Sequence, residues 1–368
     1  MKNVRNSRAV HLGDLQIGGG APITVQSMTN APSGDFDATE RQIRDLLRAG
    51  CDIVRIAVPD MDAASIFSAM RQRGITTPLV ADIHFDYKLA LAAVKSGASK
   101  IRINPGNIGA EWKVREVADA CKNAGIPIRI GVNGGSLDKK LLEKYGSPMP
   151  EALVESALSQ ADVLEKMGFS DIVISMKTSS VSDTVSTYRL AAAQCDYPLH
   201  VGVTEAGDDY SGLIKNAIGV GSLLVDGIGD TLRVSLTADS VKEVEAGREI
   251  LRTLGLDAKG GVEIVSCPTC GRTKVDLISL AAKFKEAARG IDTKGKRVKV
   301  AIMGCVVNGP GEAREADFGV AGGDGCAVLF RRGETVSRIE EADVIDVLLK
   351  ETYAFLAEDK AAGNTSEI

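Results

Sequence analysis

The sequence predicts an α/β fold: a (β/α)8 barrel of the TIM type followed by a small α+β domain. Three observations lead there. From about residue 23 to 255, eight short β-rich runs alternate with amphipathic helical stretches, and that number over roughly 250 residues is the size and order of such a barrel. The first strand is followed by Thr29-Asn30-Ala31-Pro32-Ser33-Gly34-Asp35, not by the Gly-rich phosphate fingerprint of a doubly wound open sheet. The rhythm then breaks at Lys259-Gly260-Gly261. A chain of 368 residues also exceeds what one core commonly supports.

Taken in order, residues 10–20 are expected to form a short hairpin closing the barrel floor. Strands are expected over 23–29, 52–59, 78–84, 100–105, 126–133, 171–177, 198–205 and 231–236, and helices over 38–47, 88–95, 111–123, 151–167, 184–193 and 239–253. The barrel domain then covers residues 1–258 and binds substrate. A second domain covers 262–360: a strand into Cys267, a helix over 275–288, a strand over 298–303 into Cys305, short strands near 318–321 and 327–331, and a final helix over about 338–357. Residues 361–368 form a polar tail, expected to fray.

Composition narrows the function classes. With 44% hydrophobic and 25% charged residues the chain is ordinary globular protein, not a disordered, collagen-like or coiled-coil one. No apolar run reaches the ~18 residues of a membrane helix. The N-terminus leads into a Gly-rich turn rather than an apolar signal core, so the expected location is cytoplasmic. A net charge of −5 and 4% aromatic residues argue against nucleic-acid binding through phosphate electrostatics or base stacking.

Seven cysteines, an odd number, argue against a disulfide framework. Cys51, Cys121 and Cys195 sit in apolar-periodic stretches and read as small buried hydrophobes. The C-terminal set differs. Cys267-Pro268-Thr269-Cys270 is a C-x2-C knuckle, followed by Gly304-Cys305-Val306-Val307-Asn308-Gly309-Pro310-Gly311-Glu312. Three thiolates in that pattern suit zinc or an iron–sulfur cluster. Cys326 is the obvious fourth sulfur; Glu312 is the alternative oxygen ligand. A carboxylate there would leave one iron of a four-iron cluster with a labile ligand. Spacing alone leaves zinc and cluster open.

Strand side chains alternate between faces. In the second strand Val54, Ile56 and Val58 stand opposite Arg55, although Ile53 breaks the pattern. In the fourth, Ile101 and Ile103 oppose Lys100, Arg102 and Asn104. In the fifth, Ile128, Ile130 and Val132 oppose Arg129 and Asn133, and in the sixth Ile172, Ile174 and Met176 oppose Ser175 and Lys177. Asp82 and His84 share one face of the third. The apolar parity suits the layer between sheet and helices, so the polar parity points into the barrel. Arg55, Arg102, Arg129 and Lys177 would crowd one mouth and repel each other unless an anion fills it, and arginine forks match phosphate oxygens. A phosphorylated or diphosphorylated small molecule is the expected ligand. Internal salt bridges to Asp82 and Glu205 are the plainer alternative. Lys177, ending the sixth strand, stands where Schiff-base aldolases carry theirs, so a lyase is a rival.

Together these residues resemble one family, the iron–sulfur 4-hydroxy-3-methylbut-2-enyl diphosphate synthases of the non-mevalonate isoprenoid pathway. Besides the cysteine motifs, the likeness runs through Val25-Gln-Ser-Met-Thr-Asn30, Val54-Arg-Ile-Ala-Val-Pro59, Ala81-Asp-Ile-His-Phe-Asp86, Ile101-Arg-Ile-Asn-Pro-Gly106, Ile128-Arg-Ile-Gly-Val-Asn133, His200-Val-Gly-Val-Thr-Glu-Ala-Gly207 and Gly227-Ile-Gly-Asp-Thr-Leu-Arg233. The resemblance implies an oxidoreductase that opens methylerythritol 2,4-cyclodiphosphate reductively to hydroxymethylbutenyl diphosphate, with two electrons from flavodoxin or ferredoxin. It implies a [4Fe-4S] cluster on Cys267, Cys270, Cys305 and Glu312, with Glu312 able to leave the iron. Arg55, Arg102, Asn104, Arg129, Asn133 and Lys177 then match substrate-binding positions, Asp82 and His84 orient the substrate, and Glu205 matches the acid/base. It further implies a homodimer whose active site is shared between subunits, without the extra middle domain of longer relatives. Cys326 reads as a non-ligand, and His11 and His200 as structural. A Schiff-base lyase with a structural metal knob and a non-catalytic iron–sulfur sensor are the rival classes.

Overall fold

The computed structural model describes residues 4–137, 139–306 and 314–362. The chain divides into two compact units, Met1–Leu256 and Asp257–Ile368.

The first unit opens with an antiparallel hairpin, β1 (Val10–Leu12) and β2 (Leu15–Ile17). Eight strands follow: β3 (Thr24–Met28), β4 (Ile53–Ala57), β5 (Leu79–Asp82), β6 (Lys100–Ile103), β7 (Ile128–Asn133), β8 (Ile172–Lys177), β9 (His200–Val201) and β10 (Thr231–Leu232). Their order is β8-β7-β6-β5-β4-β3-β10-β9, every pairing is parallel, and a parallel bridge between Ile174 and Leu199 brings β8 to β9. The sheet therefore closes on itself as a (β/α)8 barrel.

The helices between strands bury one apolar stripe each. Helix Phe36–Arg48 is typical: Asp35 caps it by accepting from the Ala38 amide at 2.9 Å, Asp37 and Arg48 suit the two ends of its dipole, and Ile43 and Leu46 are buried. Helix Ser211–Val225 is absent from the sequence-derived candidates because Gly212, Gly219 and Gly221 dilute its pattern. Gly219 lets it approach the barrel closely, since a Cβ there would lie 2.7 Å from Val203.

Parity holds throughout. Val54, Ile56, Ala81, Ile101, Ile103, Ile128, Ile130, Val132, Ile172, Ile174 and Met176 all join the large core between barrel and helices. Ile53 is explained by depth. It shares the inward parity of Arg55, but at the barrel floor, where Ile53, Val80 and Val173 pack against Val10, Leu12 and Ile17 of the hairpin.

The second unit is a five-stranded sheet in the order β11 (Gly261–Ser266), β12 (Arg297–Met303), β13 (Phe318–Gly322), β14 (Cys326–Arg331), β15 (Glu334–Glu340). The first three strands run parallel and the last two form antiparallel pairs. Helices Leu277–Ala287 and Val344–Ala362 accompany it, and Leu280, Phe284, Val300, Val320, Val344 and Leu348 form its core. The expected final helix from 338 is thereby corrected: residues 338–340 belong to β15. Arg332 (φ 47°) and Gly333 (φ 83°) supply the two left-handed residues of a tight hairpin turn, and the β-branched Thr335, Val336 and Ile339 suit a strand.

Candidate active site

The inward face of the barrel above its apolar floor is densely cationic. Arg55, Lys100, Arg102, Arg129, Lys177 and Arg233 come from β4, β6, β7, β8 and the residue after β10. Among the described residues only two carboxylates meet them. Asp82 accepts from Arg102 Nη1 at 3.1 Å, lies 3.8 Å from Arg55 Nε and 3.5 Å from His84 Nε2. Glu243 holds Arg233 by both Nε (3.2 Å) and Nη2 (3.1 Å), and also accepts from Ser27 Oγ at 2.8 Å.

Several donors are left over. Arg129 Nε and Nη1, Arg102 Nε and Lys100 Nζ are buried without a hydrogen-bond partner among the described residues. Native proteins rarely leave such groups unsatisfied. Burial disfavours the Asp82 carboxylate, but Arg55, His84, Arg102 and Arg129 outweigh it and hold the carboxyl well below the usual range. Burial, then Arg129 and Arg55, push the Lys100 amine well below its ordinary value. Burial, then Arg233, Arg129 and Arg55, do the same to Lys177, with Glu243 opposing. Arg129 carries the same load from burial, Arg55 and Arg102. A guanidinium keeps its proton, so that load amounts to a demand for an anion.

The backbone makes room for these long side chains. A Cβ on Gly131 would collide with the Arg102 guanidinium, and one on Gly202 would come within 3.0 Å of Lys177 Nζ. Asn133 ends β7 opposite Lys177 in register. Asn104 Oδ1 caps the short helix Pro105–Ile108 by accepting from the Gly106 amide at 3.1 Å, which commits its oxygen to the turn. His84 is exposed beside Asp82. Glu205, just past β9, is exposed and sits at φ 51°, a conformation that non-glycine residues adopt at a cost. It makes no ion pair with the inward cations among the described residues, and Glu243 fills the neutralising role that the sequence left open to Glu205. Arg233 and Glu243 were not among the sequence-derived site residues. Parity in the eighth strand, where Arg233 alternates with Leu232 and Val234, carries the signal for the first. A glutamate among Val244, Ala246, Gly247 and Leu251 on the buried face of helix Ser240–Thr253 carries it for the second. His200 is fully buried inside the barrel, its Nδ1 3.4 Å from Thr231 Oγ1.

In the second unit β11 and β12 are parallel neighbours, with Ser266 opposite Ile302. Their C-terminal ends release Cys267 and, past Met303, Cys305. The Gly304 amide donates to Cys267 Sγ at 3.3 Å and the Lys274 amide to Gly304 O at 2.9 Å, which ties the knuckle to the Cys305 turn. The exposed Cys270 thiol is drawn below its ordinary value by the Arg272 backbone amide and side chain, favouring the thiolate that metals bind. Glu312 lies outside the described residues, and among the described residues no three His, Cys, Asp or Glu side chains converge as a ready metal site. The donors still fit a soft metal centre: free thiols on adjacent strand ends, one already accepting a backbone N–H. Cys326 begins β14 at the same sheet end, where the Gly323 amide donates to its carbonyl at 2.7 Å. Cys51 and Cys121 are buried, their thiols pushed up to about 12 by burial, as small core residues should be.

Comparison with known proteins agrees with both units. Residues 7–248 match the model of the GcpE TIM-barrel domain and residues 263–354 that of the GcpE protein C-terminal domain. The chain belongs to the GcpE family. Relatives in this family include the 4-hydroxy-3-methylbut-2-en-1-yl diphosphate synthase (flavodoxin) of Clostridium perfringens, 54% identical over 95% of this chain and 98% of that one. The protein of the same name from Caldanaerobacter subterraneus subsp. tengcongensis is 55% identical over 96% and 98%. Among solved structures, dihydropteroate synthase from Stenotrophomonas maltophilia superposes with a TM-score of 0.51 at 14% identity, covering 68% of this chain and 97% of that one. That likeness concerns the barrel fold alone.

Proposed function

We infer that this GcpE-family chain is an oxidoreductase that converts 2-C-methyl-D-erythritol 2,4-cyclodiphosphate into (E)-4-hydroxy-3-methylbut-2-enyl diphosphate, with flavodoxin as the electron donor. The observation that carries the reading is the set of buried cationic donors without partners among the described residues, Arg129 Nε and Nη1 and Arg102 Nε. They call for an anion of high charge density with several acceptor oxygens. A diphosphate supplies both.

In this reading Arg55, Arg102, Arg129, Lys177 and Arg233 hold the diphosphate, Asn133 and Asn104 line its approach, and Asp82 keeps Arg55 and Arg102 aimed while His84 orients the carbon skeleton. Anchoring at the diphosphate leaves little orientational entropy to lose at the reacting carbons. The balance is two electrons and two protons in, one ring C–O bond broken, and one hydroxyl released as water. Glu205 is the group that gives a proton to the departing oxygen, held at the rim by its left-handed backbone. Cys267, Cys270, Cys305 and Glu312 would hold a [4Fe-4S] cluster, which supplies single-electron delivery and Lewis acidity when bound. A depressed Lys177 would also suit a Schiff-base lyase, but relatives above 50% identity along nearly the whole chain carry the name 4-hydroxy-3-methylbut-2-en-1-yl diphosphate synthase (flavodoxin).

The working form is a homodimer with a shared site. An exposed apolar row on helix Ser211–Val225 and the residue before it, Tyr210, Ile214, Ile218 and Val225, supports an oligomer. A cytoplasmic location is part of this reading; no helix of the described residues is long and apolar enough to cross a membrane. The deciding experiment is iron, sulfide and zinc analysis of anaerobically purified protein, together with turnover of the cyclodiphosphate by reduced flavodoxin. About four irons and four sulfides per chain with broad absorption near 400 nm, as a four-iron cluster gives, is expected alongside turnover. One zinc, no sulfide and borohydride trapping at Lys177 would overturn the reading.

A further inference from the structure

We propose that Tyr188 is a positioning residue for the anion site, its hydroxyl wedging the barrel open beside Lys177. The proposal rests on the barrel mouth being the diphosphate site.

The argument starts at the seam between β8 and β9. There the Ile174 amide donates to Pro198 O at 2.9 Å. Two residues further along each strand, a parallel ladder would next run from the Met176 amide to His200 O. Instead the Met176 amide donates to Tyr188 Oη at 3.0 Å, and that hydroxyl donates to His200 O at 2.5 Å. Beyond the insertion the Thr204 amide donates to Thr178 O at 3.1 Å, so the two backbones meet again. A two-bond relay through an oxygen replaces one direct bond and spreads the strands locally between the Ile174 and Thr178 rungs, as a bulge does by other means.

Tyr188 is well placed to hold that spacing. Its ring is fully buried, and it comes from helix Val181–Gln194, capped by Ser180. The residue after Met176 is Lys177, and across the seam stands Gly202, where any Cβ would crowd Lys177 Nζ and collide with Arg233 O. A wedge and a missing side chain thus coincide at the one place where the lysine needs room. Lys177 is a flexible amine under repulsion from Arg233, Arg129 and Arg55. A lysine has no planar fork to fix it, so its walls decide where its charge sits.

The test uses the holoenzyme with Tyr188→Phe, Lys177→Met and the double variant, measuring calorimetric binding of the cyclodiphosphate together with KM, kcat and Tm. Lys177→Met should weaken binding, as the reading of the mouth requires. Tyr188→Phe should raise KM about tenfold, a coupling of the size common between residues linked through a backbone shift, with a smaller effect on kcat. In the Lys177→Met background it should add nothing. A Tyr188→Phe enzyme with lowered Tm but wild-type binding overturns the proposal, as does a penalty fully additive with Lys177→Met. Wild-type binding by Lys177→Met would instead sink the diphosphate reading. Should Tyr188→Phe not fold, hydrogen exchange of the wild type decides. Slower exchange at Met176 with saturating cyclodiphosphate supports the wedge, and identical exchange overturns it.

Discussion

The barrel interior and the cysteine end of the second sheet solve opposite problems. In the barrel, charged side chains are buried, fixed by strand register and over-supplied with positive charge, so the cationic cluster is assembled before any ligand arrives. At the sheet end the thiols stand on turns beyond two strand termini, partly exposed and tied together by single backbone hydrogen bonds. The first arrangement suits binding by preorganisation, and the second suits ligands that a metal would gather. An anion must find its donors already in place because each buried guanidinium costs free energy to hold. A metal centre can leave more of its ordering to the moment of binding.

The sharpest way to break this contrast is Cys305→Ala. Reductive turnover should fall to background and iron content should drop, while calorimetry shows inorganic diphosphate still bound with wild-type affinity. Loss of both would mean that the barrel site is not self-contained. Next in size is Arg102→Met. Truncating one partner of a buried charge pair costs roughly 3 kcal/mol, so diphosphate affinity should fall about 100-fold with the visible spectrum unchanged.

Asp82→Asn tests the electrostatic frame through pH. The native Asp82 carboxyl lies below its unfolded value, so its stabilising contribution is complete above about pH 4 and fades as pH falls through and below that point. The variant should be less stable by about 3 kcal/mol at pH 7, and the gap in denaturant midpoints should narrow steadily as pH falls below about 4. A gap independent of pH would show that Asp82 is held for shape rather than charge. The smallest effect, opposite in sign, is expected from Lys100→Met. A native amine pushed below its unfolded value is penalised at every pH below about 10.4, so this variant should melt about 2–4 °C higher at pH 7. The advantage should vanish near pH 10.5, and a lower Tm at neutral pH would show that Lys100 stabilises the barrel.

What was legible in the sequence divides along the same line. Eight strands and their inward cations could be read because a period of two survives wherever one face meets helices and the other meets charge. Ile53 looked like an exception only because depth along the barrel axis is not encoded in parity. Helix Ser211–Val225 was obscured by the glycines that allow its close packing, and β15 by a turn whose φ values the string Arg332-Gly333 only hints at. Glu243 went unseen because its partner Arg233 lies on another element, and ion pairs across elements leave no local pattern. At the sheet end the ligand types could be read from motif spacing, but spacing does not fix where the sulfurs meet.

The hairpin beneath the barrel has a consequence for kinetics. Val10, Leu12 and Ile17 with Ile53, Val80 and Val173 place a layer of low polarisability directly under the buried cations. Field lines avoid such a layer and emerge where water is, through the opposite end. The chain as a whole carries −5 and repels an anionic metabolite at long range, so capture depends on this one-sided funnel. Association should therefore slow as salt is added, over the roughly 10 Å screening length of 0.1 M salt. Opening the floor to solvent, as a Leu12→Asp change would, should lower the capture rate even where Arg55, Arg102, Arg129 and Lys177 are left intact.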